Sequence, residues 1–158
     1  MAFILTAQRD NDVVLAFKRY RAYLEQAYKG FPVSAYELAT SEWYFDFTNH
    51  KCPHDAWLKE VVISESPMNT DHKRRKVSLK IQLLGAYHDG VIEFFYPMVY
   101  SYQLFAYDSR PGHCDWQYDE FRVSDSGSLI HEIEWAGRKN IGRWLIEAND
   151  VHYNWLSL

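Results

Sequence analysis

The stretch Val77-Ser78-Leu79-Lys80-Ile81-Gln82-Leu83-Leu84-Gly85-Ala86-Tyr87-His88-Asp89-Gly90-Val91-Ile92-Glu93-Phe94-Phe95-Tyr96 decides the fold. Val77, Leu79, Ile81 and Leu83 alternate with Ser78, Lys80 and Gln82, the period of a strand with one buried and one wet face. His88-Asp89-Gly90 is turn chemistry, with Gly90 expected to supply the positive φ of a tight connection. Val91 to Tyr96 is then the antiparallel partner. Because an isolated hairpin is marginal in water, this pair needs further strands.

The chain supplies them on both sides. Pro97 cannot donate to a ladder, so it marks an edge, a bulge or a break before the strand Val99 to Tyr107. A loop over Ser109 to Cys114 follows. Asp125-Ser126-Gly127-Ser128 is a second hairpin signal, between Trp116–Val123 and Leu129–Trp135. Leu129, His131, Ile133 and Trp135 share one face. Gly137 to Gly142 turns again before Trp144, Ile146 and Ala148, and Val151, Tyr153 and Trp155 alternate at the end.

Upstream, Trp57 to Glu65 carries the β-branched run Val61-Val62-Ile63, and Ser66 to Arg75 reads as a polar loop. Trp43, Phe45 and Phe47 alternate as a strand, and Ser34 to Ser41 also fits a short helix. From Asn11 to Lys29, Val13, Val14, Phe17, Tyr20, Leu24 and Tyr28 recur at helical spacing. Asn11 or Asp12 serves as N-cap, and Gly30 with Pro32 stops the helix.

The expected architecture is α+β: a single domain over 1–158, mainly an antiparallel sheet of six or seven strands, arranged as a meander or a partly closed barrel. The N-terminal amphipathic helix packs on one face.

The net charge of −4 argues against a protein whose main partner is the phosphate backbone, a role that usually needs a basic face. Cys52 and Cys114 are too few for a disulfide framework. The apolar run Ala2 to Leu5 has no basic leader, and no stretch approaches the roughly 20 apolar residues of a membrane span. The expectation is a cytoplasmic protein with no membrane or nucleic-acid partner.

Phosphate loops, dinucleotide fingerprints, nucleophile elbows and zincin helices are absent from the sequence. Its seven glycines leave no backbone cradle for a phosphate. His50, Cys52 and His54 are the densest set of metal-ligating side chains, with His113 or Cys114 as a further donor, but a structural zinc site needs four donors converging from two segments. With Pro53 in its middle, the stretch reads more simply as a loop in which Asp55 caps the next segment, and no metal or cofactor is expected.

His88 with Asp89, and His131 with Glu132 and Glu134, form an acid/base pairing only if their strands are neighbours. The simpler reading makes Asp89-Gly90 a turn and His131 a hydrogen-bonded core residue. Glu132, Glu134, Arg143 and Glu147 read as the wet side of the last strands, and His72-Lys73-Arg74-Arg75-Lys76 as a solvated basic loop.

Aromatic residues make up 17% of the chain, more than a core of this size needs. Tyr96, Tyr100, Tyr102 and Tyr107 surround one strand, while Trp116, Tyr118, Trp135, Trp144, Tyr153 and Trp155 crowd the C-terminal third. Tyr and Trp offer large contact area with a polar tip at low entropic cost. Tyr100, Tyr102, Trp116, Tyr118 and Trp144 are the expected contact residues.

The expected function is a non-enzymatic protein-binding module, regulatory or toxin-neutralising in type, holding a basic partner on an acidic, aromatic face. The alternative is a small-ligand protein or enzyme whose curved sheet encloses an aromatic pocket reaching His88, His131 or Glu134. A homodimer is compatible with either.

Overall fold

The structure, a computed structural model, describes residues 2–5, 9, 11–106, 108–139 and 141–158, with residues 71 and 72 described in their backbone alone. Tyr107 and the side chain of His72 lie outside the described residues.

Helix α1 spans Val13–Ala27, with Asp12 accepting the Leu15 amide at 3.0 Å as its N-cap. It passes through a 3-10 turn, Tyr28–Gly30, into a second helix, α2, at Val33–Thr40, so the stretch that fitted a short helix is one. Trp43 to Phe47 is not a strand: Glu42–Phe45 forms a 3-10 turn. Its Tyr44 ring points into the core against Phe94 and Phe121, an anchor that an extended backbone here would not provide.

Among the described residues, seven strands form one open antiparallel sheet: β1 Trp57–Met68, β2 Asp71–Leu84, β3 Gly90–Phe105, β4 Asp115–Val123, β5 Leu129–Ala136, β6 Ile141–Ala148 and β7 His152–Ser157. The spatial order is β1-β2-β3-β6-β5-β4, with β7 also beside β3. Two three-stranded meanders are thus joined through β3 and β6. The chain leaves β3 for the far side of the sheet and works back, a connection that short-range patterning does not specify. The far ends of the order touch at one point, where Asp55 N donates to Trp116 O (2.7 Å) and Trp116 N to Ala56 O (3.0 Å).

The deciding hairpin folds as its alternation demands, with Leu79, Ile81 and Leu83 on the core face opposite Tyr96, Phe94 and Ile92. Gly90, however, is not the positive-φ residue; His88 takes that conformation at φ 60°. Gly90 instead leaves room for the Trp155 ring, which lies where its Cβ would stand.

The expected polar loop from Ser66 to Arg75 is also corrected. β1 and β2 continue there as a hairpin, Glu65 opposite Val77 and Pro67 opposite Arg75, turning at Asn69 and Thr70. Both faces of this ribbon are largely wet, so no hydrophobic alternation announces it.

The core lies between the sheet and the helical layer, with Ala16, Tyr20 and Leu24 of α1 and Ala35, Leu38 and Ala39 of α2 buried in it. Trp116, Trp135, Phe94 and Phe121 fill it, each such ring contributing about 2 to 3 kcal/mol by leaving water. No helix among the described residues is long and apolar enough to cross a membrane.

Candidate functional site

Pro97 determines the site. β3 pairs β2 from Val91 to Val99, with a register shift at Val77/Leu79 opposite Pro97 and Met98. Lacking an N–H, Pro97 sits where the ladder is irregular. Along its other edge β3 pairs β7 through Gly90–Phe95 and then β6 through Val99–Phe105. Val99 is bonded on both sides, to Val77 and to Ala148.

Beyond Val99 the sheet forks. Residues 100–105 of β3 keep β6, and residues 71–76 of β2 keep β1, but the two strands no longer pair with each other. Among the described residues, no further strand stands between the two prongs in the sheet order.

On the β3 prong Tyr100 (57% exposed), Tyr102 (45%) and Phe105 (51%) are open to solvent. A polar, open depression lies beside Tyr100, lined by Ser126, Ser128, Glu147 and Asn149. Glu147 there accepts hydrogen bonds from the Ser128 and Ser101 hydroxyls. The β2 prong carries Lys73, Arg74, Arg75 and Lys76, with Arg75 beside Glu65 at 3.2 Å.

The other expected contact residues are placed differently. Trp116 and Trp144 are core residues, a correction that follows from their inward strand positions: Trp116 stacks on Phe94 at 5.1 Å, and Trp144 packs against Trp135 at 4.8 Å. Tyr118 is half-buried beneath the Arg9 guanidinium, 4.2 Å from its ring centroid.

His88, His131 and Glu134 are not brought together. His88 meets the Trp57 ring at 4.5 Å on the hairpin tip, while neighbouring Asp89 bonds His50 Nδ1 at 2.5 Å. His131 is fully buried, its Nδ1 2.6 Å from the Tyr96 hydroxyl and its Nε2 2.7 Å from Asp119 Oδ2. Asp119 also accepts from the Tyr44 hydroxyl at 2.5 Å and Trp116 Nε1 at 3.0 Å.

Burial first, and the Asp119 charge second, push the Tyr44 and Tyr96 phenols well above their ordinary range. A protonated Tyr96 donates to Nδ1, so the ring's own proton sits on Nε2 and is donated to Asp119. This His–Asp pair has the contacts of an acid/base couple but no route to solvent. Neither the depression beside Tyr100 nor a small cleft at Asp108, His113, Cys114 and Trp135 is lined by His88, His131 or Glu134.

The expected wet face of the last strands is in part buried. Glu134 is fully covered, bonded by Arg9 at 2.6 Å and Arg143 at 3.5 Å. Arg143 and Arg122 also reach Glu132, and Arg122 bonds Glu120. Fully buried Glu120 accepts the amides of Phe3 (3.0 Å) and Ile4 (2.8 Å), which holds the N-terminal segment across β4. Burial raises the Glu120 carboxyl, while these amides and Arg122 hold it down.

His50, Cys52 and His54 diverge. His50 stacks on Tyr87 (4.0 Å) and bonds Asp89; His54 stacks on Phe47 (3.7 Å) and bonds the Gln117 carbonyl (2.5 Å). Cys52 is buried and donates to the Tyr44 carbonyl at 3.0 Å, its thiol pushed up to about 12 by burial. Cys52 and Cys114 are not disulfide-bonded. Among the described residues, no three His, Cys, Asp or Glu side chains converge as a metal site.

The sequence singles out Tyr100 and Tyr102 by their ring type but gives no sign of the open edge that presents them. The one signal for it is Pro97, whose effect on the ladder depends on which strands flank it. Compared with known protein families, curated proteins and solved structures, the chain has no match in any of the three.

Proposed function

We propose that this chain is a non-enzymatic protein-binding module that takes its partner at the fork, along residues 100–105 of β3. One observation carries the reading: this stretch is paired on a single edge and exposes Tyr100, Tyr102 and Phe105. A sheet margin with a single strand neighbour, together with nearby aromatic rings that supply anchor area, meets the requirements for strand addition. The isolation of the His131–Asp119 pair favours this over the enzymatic alternative, because a catalytic base has to reach its substrate.

The sequence expectation of a basic partner rested on net charge. At the fork the local charge is what a partner meets, and there the β2 prong is basic.

A photoreactive residue in place of Tyr102 tests the reading in the protein's own cells. The expected result is a discrete crosslinked heterocomplex that disappears when Tyr100 and Phe105 are changed to Ala and persists when the exposed helix residue Val14 is changed instead. Crosslinks that survive the first pair of changes, or an absence of crosslinks, would remove the basis for this function.

A further inference from the structure

The geometry points to a second site beyond that of the strand partner: the open depression beside Tyr100 takes a neutral pyranose sugar. The depression measures about 430 Å³ and is lined by Tyr100, Ser126, Ser128, Glu147 and Asn149. Space of this order suits a small organic ligand. A β-bulge brings the aromatic ring there. The register of β3 on β6 passes from Val99 opposite Ala148 to Ser101 opposite Glu147, so Tyr100 is the extra residue on the β3 side. Such a bulge re-aims the side chain it carries.

The polar groups of the depression are held in place by the chain. Asn149 N donates to the Met98 carbonyl at 2.9 Å, and Met98 N donates to Asn149 Oδ1 at 3.1 Å. With Oδ1 engaged, the two N–H donors of Nδ2 remain, and none of the described residues accepts from them. Glu147 accepts from the Ser128 hydroxyl and, at 3.4 Å, from the Ser101 hydroxyl. A carboxylate offers about four lone-pair sites, so about two are left for a ligand. The Ser128 hydroxyl lies 2.7 Å from that of Ser124 and 3.2 Å from that of Ser126, a chain of groups that rotate to donate or accept.

An anchored acceptor and an anchored donor thus stand two residues apart, beside an exposed ring. Each hydroxyl of a sugar both donates and accepts, so adjacent hydroxyls give protons to Glu147 and take them from Asn149 Nδ2. The C–H groups on one face of a pyranose supply apolar area for Tyr100. Other ligands fit the lining less well. Glu147 repels a phosphate or a carboxylate, and an apolar ligand would strip water from these groups without replacing its bonds. A hard cation calls for more carboxylates than Glu147 alone, and among the described residues no three His, Cys, Asp or Glu side chains converge.

Methyl pyranosides of glucose, galactose, mannose and N-acetylglucosamine are titrated separately into the isotope-labelled full chain, with glucuronate and calcium chloride as charged comparisons. At least one neutral pyranoside should shift the amides of residues 126–128 and 147–149, with a Kd on the order of 1 mM, as a small ligand in an open site gives. Glu147→Gln and Tyr100→Ala should each weaken it about tenfold, while Val14→Ala matches the wild type. Unchanged amide spectra away from the depression show that the variants fold. An oligosaccharide of the best pyranose separates the two sources of such a ligand: equal affinity marks a free sugar, and a gain of about tenfold marks a residue within a chain.

If no neutral pyranoside shifts these amides, or if both variants bind as the wild type does, the inference is overturned. Glucuronate binding as tightly as the glucoside overturns the role of Glu147 and the inference with it. Calcium shifting the same amides at lower concentration than any sugar makes this a cation site and overturns it as well. The Tyr102 crosslink does not depend on Glu147, so in the Glu147→Gln variant the strand partner and the sugar are read separately.

Discussion

Trp155 occupies the space that a side chain on Gly90 would fill: an ideal Cβ at Gly90 would stand 2.1 Å from the ring's Cζ2. The two residues lie on adjacent strands, Gly90 opening β3 and Trp155 in β7, which pairs with it. The ring lies over the glycine and seals the end of the hairpin at the centre of the sheet.

Gly90→Ala should therefore destabilise the fold by about 3 kcal/mol, because the ring can move only by leaving its packing. Trp155→Ala should carry a cost of its own but make the glycine change nearly free in the double variant. Urea unfolding of the four proteins in this cycle gives the answer, and additive costs would mean that the two residues do not compete for the same space.

Asp119→Ala should be among the most damaging single changes, costing at least about 3 kcal/mol. It strands the Tyr44 hydroxyl, the Trp116 indole and His131 together in a dry interior. Tyr96→Phe removes one donor and leaves Nδ1 of His131 alone, which should cost about 1 to 2 kcal/mol. Chemical denaturation ranks the two, and an equal or reversed order would contradict the network.

Stability should decline on the alkaline side. Burial holds the Cys52 thiol at about 12 in the folded chain, above the ordinary value of 9.0 for a free thiol. A group whose folded value is raised contributes fully below the unfolded value, and its contribution is lost as pH rises. Between pH 8 and 10 this thiol alone should therefore subtract about 1 kcal/mol. The phenols of Tyr20, Tyr44 and Tyr96 act in the same direction above their ordinary value. Cys52→Ala should lose less stability than the wild type between those two pH values. Identical pH profiles in thermal unfolding would exclude the thiol as a cause.

Glu120→Ala should free the N-terminal segment, since the Phe3 and Ile4 amides lose their acceptor. Hydrogen exchange at those two amides should rise by an order of magnitude or more, with a global cost of about 2 kcal/mol. Glu120→Gln, which keeps a carbonyl acceptor, should hold the segment better. Unchanged exchange at Ile4 in the alanine variant would mean that the apolar burial of Ile4 and Leu5 is what secures it.

The legible part of the fold is the part buried on one face. Leu79, Ile81 and Leu83, like Leu129, Ile133 and Trp135, alternate because each strand has a dry side, and these strands formed as read. Residues 66–70 and 73–75 have no dry side, so their strand pairing left no periodic trace. Trp43, Tyr44 and Phe45 are aromatic at three successive positions, so this short run carries no period that separates the two-residue repeat of a strand from the three-residue repeat of the 3-10 turn that forms. Asp119 and Glu134 look like surface charges until Tyr44 and Arg9, distant in sequence, arrive beside them. The fork was hidden for a related reason: whether Tyr100 lies inside a sheet or on its margin depends on where β2 and β3 part.

The opposite margin of the sheet is closed. Along β4, Trp116 bonds the chain at Asp55 and Ala56, His54 bonds the Gln117 carbonyl, the Tyr20 hydroxyl bridges the Phe121 amide and carbonyl, and the Tyr23 hydroxyl takes the Val123 amide. A guest strand at the fork therefore finds no matching vacancy on the β4 side of another molecule. With β4 covered in this way, stacking of copies by the β4 margin of one against the fork of the next has no second step.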